Sequence, residues 1–84
     1  MKTIYQPAYQ TLIRHLVDLR KSKELTQVAL ANILPKPQSY VAKIEGCERK
    51  LDVLEFVAWC QALGVQPSNV MTLMESDDKN PNFP

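Results

Sequence analysis

Side chains that could carry covalent or metal chemistry are sparse in these 84 residues. His15 is the only histidine, and Cys47 and Cys60 are the only cysteines. Zinc takes four ligands, so two cysteines without neighbouring histidines make no metal site. No nucleophile is spaced to meet a base, no cofactor is implied, and an enzyme is the poorest fit. The remaining polar chemistry is non-covalent and gathers in one stretch. Gln38, Ser39 and Lys43 place an amide, a hydroxyl and an ammonium on the polar side of a short segment, and the charge run Arg49-Lys50 follows. Groups of this kind work by hydrogen bonding and by attraction to an anion.

The charge distribution points the same way. The net charge is only +1. Residues 1–50 nevertheless hold nine cations against four anions, and residues 51–84 one cation against five anions. A basic half and an acidic half suit a protein that turns one face toward a polyanion. A small net charge is equally compatible with a protein partner, because nucleic-acid binders are usually more basic.

At 84 residues there is room for one domain. Its boundaries are expected at 1–75, leaving 76–84 as a polar tail with two prolines and no means of forming a core. With 45% hydrophobic and 23% charged residues, general disorder is excluded. No stretch is long and apolar enough to span a bilayer. The N-terminal MKTIYQPAYQ lacks the apolar region of a signal peptide, so a cytoplasmic location with free thiols is expected.

Five helices must position these groups. Tyr9, Leu12, Ile13, Leu16 and Leu19 recur at helical spacing and predict a first helix over 8–22. Ile4 and Tyr5 before it are expected to pack as an extended arm. Thr26 is a good N-cap for a short second helix that Pro35 ends; Ala29 stands where a capping-box glutamate would, so the cap is partial. Pro37 can open a third helix around 38–45, with Val41 and Ile44 as its buried pair and Gly46 as its stop. So short a helix must lie on its neighbours to be stable. Asp52 and Glu55 form a D-x-x-E capping box for a fourth helix, whose stripe of Phe56, Trp59, Cys60 and Leu63 runs to Gly64. Pro67 starts a fifth helix carrying Val70, Leu73 and Met74.

The second and third helices, LTQVALANILPKPQSYVAKIE, are short and joined by a tight linker. Leu30, Ala31, Leu34, Val41 and Ile44 face inward, and Gln38, Ser39 and Lys43 outward, the distribution a helix-turn-helix requires. The chain here resembles the lambda-repressor-like, Cro-type helix-turn-helix family, also called the xenobiotic-response-element family. The matching residues are Leu25-Thr26-Gln27, Leu30-Ala31, Pro37-Gln38-Ser39-Tyr40-Val41 with Lys43-Ile44-Glu45, Glu48-Arg49-Lys50-Leu51-Asp52, and Ala62-Leu63-Gly64-Val65. The ordered set spans residues 5–74 and is specific where no single tripeptide is.

The resemblance implies an all-α, lambda-repressor-like bundle that binds duplex operator DNA as a homodimer, with two recognition helices about 34 Å apart. It implies base contacts from Gln38, Ser39 and Lys43, a glutamine amide suiting adenine and lysine suiting guanine. Gln27, Tyr40, Arg49 and Lys50 would contact the backbone, Gln27 also bracing the recognition helix. Arg20 and Glu45 would form a buried ion pair between the first and third helices, fixing that helix more than stabilising it. The chain departs from the family where glycine commonly follows the first three helices: Glu24, Pro35 and Cys47 stand there. Proline is expected to exclude a left-handed residue at 35, and Gly46 to supply the third cap one residue early.

Each of these side chains also has a plainer reading, as solvated helix or loop surface. Trp59, Phe56 and Cys60 are core, His15 is structural, and Cys47 is an exposed bystander thiol. Val65, Val70, Leu73 and Met74, or Ile4-Tyr5, are the candidate dimer patches. A transcriptional repressor is the first reading. An antitoxin with a toxin partner, or a protein–protein module with no DNA role, are its rivals.

Overall fold

A computed structural model describes residues 3–76, and all regular structure in them is helical. One 3-10 turn, Thr3–Tyr5, precedes α1 (Pro7–Ser22), α2 (Gln27–Ile33), α3 (Gln38–Glu45), α4 (Val53–Leu63) and α5 (Pro67–Ser76). The expected tail, save Ser76, lies outside the described residues.

Each helix begins where its local chemistry dictates. Pro7 opens α1 at the first-turn position, where a missing N–H costs nothing. Thr26 Oγ1 accepts from the Ala29 amide at 3.0 Å and caps α2 alone. At α4 both halves of the capping box form: Asp52 Oδ1 accepts from the Glu55 amide at 2.7 Å, and Glu55 Oε1 accepts from the Asp52 amide at 3.1 Å. Pro37 sits just before α3, as its N-cap, with extended backbone.

Trp59, Leu16, Leu30, Ile44, Val41, Val70 and Cys60 fill the centre of the core. Val41 and Ile44, three residues apart, are the whole of α3's fully buried contribution. Burying two such side chains is worth roughly 3–6 kcal/mol, against roughly 1–2 kcal/mol of backbone entropy for each ordered residue. Polar anchors at both ends of α3 therefore matter to its placement.

Three expectations are corrected. Ile4 and Tyr5 form part of the 3-10 turn instead of an extended arm, with Ile4 packed on the core and Tyr5 exposed. Val70 and Met74 are 1% and 3% exposed, so they complete the core and offer nothing to a partner. The third concerns the missing glycines. Glu24 and Cys47 have positive φ, at 59° and 57°, while Gly46 is at −85°. In the turns after α1, α2 and α3 an amide donates five residues back: Leu25 to Arg20, Lys36 to Ala31, and Glu48 to Lys43, at 3.1, 2.9 and 2.8 Å. Val65 does the same to Cys60 after Gly64, at 2.9 Å. The turns after α1, α3 and α4 also make the inner bond of a Schellman motif, from Glu24, Cys47 and Gly64, which Pro35 cannot make because it has no N–H. Hydrogen bonding thus holds Glu24 and Cys47 left-handed without glycine. At Gly46 a Cβ would lie 3.2 Å from the Ala42 carbonyl oxygen and 3.1 Å from Glu48 Oε2, a tight fit that a shift of a few tenths of an ångström would relieve.

Candidate nucleic-acid interface

Two polar networks hold α3, one at each side, and leave a third face open. The first runs from α1 through Glu45 at the end of α3. Arg20 donates from Nε to Glu45 Oε2 at 2.6 Å and from Nη2 to Oε1 at 2.9 Å, while Nη1 reaches the Leu25 carbonyl at 2.7 Å. Both side chains are less than one-tenth exposed. Gln27, at the start of α2, donates to Glu45 Oε1 at 2.9 Å, and Gln38 donates to Gln27 Oε1 at 3.4 Å. An unbroken chain of contacts therefore links a buried arginine to the first residue of α3. A bidentate carboxylate with a third donor has its acceptor sites well filled, which is the condition under which a charge pair tolerates burial.

The second network lies toward α4. Trp59 Nε1–H donates to the Tyr40 hydroxyl at 3.3 Å, and that hydroxyl donates to Glu55 Oε2 at 3.0 Å. Arg49 Nη1 donates to both Glu55 oxygens, at 3.2 and 3.0 Å, and to the Lys50 carbonyl at 3.0 Å. Its guanidinium carbon lies 4.9 Å from the Tyr40 ring centre, and Lys36 Nζ lies 5.3 Å from the same centre. Burial pushes the Tyr40 hydroxyl above its ordinary pKa. Burial would also raise Glu55, but the bonds from Arg49, the Asp52 amide and Tyr40 outweigh it and hold its carboxyl below the ordinary range. A second hydroxyl, that of Tyr9, accepts from the Leu51 amide at 2.9 Å and ties α1 to the loop before α4.

On the third face Gln38, Ser39 and Lys43 are exposed together. Among the described residues, neither the Ser39 nor the Lys43 side chain makes a hydrogen bond to protein. Lys50 is exposed beyond the end of the helix. The structure thus brings Gln27 and Gln38 into contact, sets Ser39 and Lys43 beside them, and turns the Tyr40 hydroxyl inward to Glu55 and Trp59. Sequence reasoning missed Lys36 and Glu55 as parts of this surface. The signal for Lys36 was its position one turn before an aromatic residue, in a linker read only for its prolines.

A solved structure, an XRE-family like protein from Pseudomonas syringae pv. tomato, is 39% identical to the chain, with a TM-score of 0.79. The likeness covers 82% of this chain and 84% of that one. The chain belongs to the XRE family. No protein-family model matches it, and no curated protein does. As an XRE-family, Cro-type helix-turn-helix protein, it has α2 and α3 as the two helices of the motif. No helix among the described residues is long and apolar enough to cross a membrane.

Proposed function

We propose that this XRE-family chain is a sequence-specific duplex-DNA-binding regulator, most simply a cytoplasmic repressor that acts by occupying a promoter. The observation that carries it is the outer face of α3, where Gln38, Ser39 and Lys43 are exposed while both flanks of the helix are held. Inserted in the major groove, Gln38 offers an amide suited to adenine N6 and N7, and Lys43 an ammonium suited to guanine. Gln27, Arg49 and Lys50 are assigned to the backbone, which sets register without reading sequence, and Tyr40, its hydroxyl turned inward, would meet the backbone with its ring edge alone. Free thiols at Cys47 and Cys60 support a reducing compartment.

Two copies acting together are part of this reading. Its support is an apolar surface at the start of α4, where Val53 and Leu54 are 76% and 80% exposed. It borders an apolar groove of about 400 Å³ lined by Tyr9, Leu12, Phe56, Val57 and Met71. A second copy of the chain is the proposed occupant, and a Leu54→Glu variant that sediments as the wild type does would remove that support.

Selection from a randomised duplex pool tests the regulator. The expected result is one enriched sequence, bound with an affinity that falls steeply as salt rises. Gln38→Ala should then lose preference for that sequence more than it loses affinity, each misread base costing about 1–3 kcal/mol. A pool that enriches nothing would contradict the reading and favour a protein partner, which the apolar groove would serve.

A further inference from the structure

The groove that a second copy is proposed to cover is also built like a small-molecule site. Its volume of about 400 Å³ falls within the roughly 300–1,000 Å³ of ligand pockets. Tyr9 and Leu12 of α1, Leu51 of the loop before α4, Phe56 and Val57 of α4, and Met71 of α5 all line it. The geometry points to a site for a neutral, apolar molecule whose carbonyl oxygen accepts a hydrogen bond from the Tyr9 hydroxyl, and which displaces the second copy when it binds. This rests on the two-copy reading above and adds to it the means of its regulation.

The Tyr9 hydroxyl carries the argument. The residue is only 8% exposed. Its oxygen accepts from the Leu51 amide at 2.9 Å, and both partners of that bond line the groove. A tyrosine hydroxyl also has one proton to give. Among the described residues no acceptor takes it. Burial raises the pKa of this hydroxyl, so the proton stays on at neutral pH and the group remains a donor. Water can serve that donor while the groove is open. A wholly apolar cover would shut it away unpaired, at the full cost of its desolvation. A cover that brings one acceptor avoids that cost.

The rest of the lining sets the class of ligand. Lys50 and Asp52 are its charged members, one ammonium against one carboxylate, so a charged ligand meets no net opposite charge. The Asp52 carboxylate is already engaged by the Glu55 amide, at 2.7 Å. Leu12, Phe56 and Val57 suit a ring or a short alkyl chain, and Met71 adapts to the shape of either. Val53 ties the site to the two-copy contact. It lines the groove and is 76% exposed, so the ligand and the second copy compete for the same side chain. A ligand that binds only the single copy draws the equilibrium toward it.

The test uses benzylacetone, a phenyl ring joined by a short chain to a methyl ketone, added to the full chain. The methyl NMR signals of Leu12, Val57 and Met71 should shift and saturate as it is added. Tyr9→Phe keeps the ring and removes the proton, and should bind the probe about 3- to 10-fold more weakly, the worth of one hydrogen bond. Sedimentation of the wild-type chain should move toward the single copy at saturating probe. Methyl signals that do not move, or equal affinity in Tyr9→Phe, overturn the site and leave the two-copy reading intact. Saturable binding with unchanged sedimentation of a two-copy species overturns the displacement. A chain that sediments as a single copy without probe overturns the two-copy reading and the displacement together, while the methyl shifts still judge the site.

Should Tyr9→Phe fail to fold, the carbonyl carbon of the probe decides in the wild-type protein. Its NMR signal should move downfield on binding, as a carbonyl does when it accepts a hydrogen bond. A bound probe whose carbonyl signal stays in place, or moves upfield, overturns the role given to Tyr9.

Discussion

The two sides of α3 are fastened by different physics. Toward α1 and α2 the fastening is a buried ion pair, Arg20–Glu45, extended by two glutamines to Gln38. Toward α4 it is a tyrosine hydroxyl shared between an indole and a carboxylate, with a half-exposed arginine completing the group. A buried pair is rigid because neither charge can be solvated if its partner leaves. A surface group is adjustable, because water and an incoming ligand can take the place of either partner. The difference suits the two tasks assigned to α3. Under the proposed DNA-binding reading, the rigid network would aim the amide of Gln38 at a base edge, and the adjustable one would present Arg49 to a backbone whose phosphates carry no sequence information.

Breaking the rigid side should have the largest effect. Glu45→Ala strands Arg20 in the core and should cost about 3–5 kcal/mol of stability in urea denaturation. Replacing both partners, Arg20→Met with Glu45→Leu, should cost less than either single change, since no charge is left unpaired. If the double variant is as unstable as Glu45→Ala, the ion pair is not what holds this side.

On the adjustable side Tyr40→Phe leaves the Trp59 N–H buried without its acceptor. That should cost about 1–3 kcal/mol, less than the loss of Glu45, and the same denaturation measurement checks it. A Tyr40→Phe variant as stable as the wild type would mean that the indole finds another partner.

A third change touches neither network. Glu24 is exposed and held left-handed at φ 59° by the closure of the turn after α1. Glu24→Gly relieves a strain of about 1–2 kcal/mol, partly offset by the greater freedom of glycine in the unfolded chain, for a net gain of about 1 kcal/mol. A rise in melting temperature with unchanged duplex binding is the expected outcome. A fall would show that the side chain contributes contacts beyond its backbone geometry.

The smallest effect is acid sensitivity on the α4 side. Glu55 is held below the ordinary glutamate value of 4.5. A carboxyl with a depressed folded-state pKa adds stability that is present above its unfolded value and lost as pH falls through the folded one. Stability should therefore decline modestly below about pH 4.5, and Glu55→Gln, which can still complete the capping box, should flatten that part of the profile. A profile that Glu55→Gln leaves unchanged would mean that Glu55 does not titrate with folding.

Much of this arrangement was legible in the sequence because it is local or periodic. The Thr26 cap, the Asp52–Glu55 box and Gly64 are signals within four residues of the helix ends they control. The Val41–Ile44 pair follows from helical spacing alone. Backbone closure at Glu24 and Cys47 was not legible, since residue type argued against a left-handed conformation and the hydrogen bonds that enforce it span five residues. Lys36 and Glu55 were missed for a similar reason. Their partner is an aromatic ring whose orientation depends on Trp59, nineteen residues away in sequence. The apolar residues of α5 divided on packing alone, Val70 and Met74 going inward and Leu73 staying 39% exposed.

Mapping amide NMR shifts along the chain as the enriched duplex is added tests most directly whether α3, held from both sides, is the DNA-reading surface. The account predicts that the largest shifts fall on Gln38, Ser39 and Lys43, with smaller ones at Gln27, Lys36, Arg49 and Lys50. Shifts concentrated instead at Val53, Leu54 and Met71, with α3 unmoved, would contradict it.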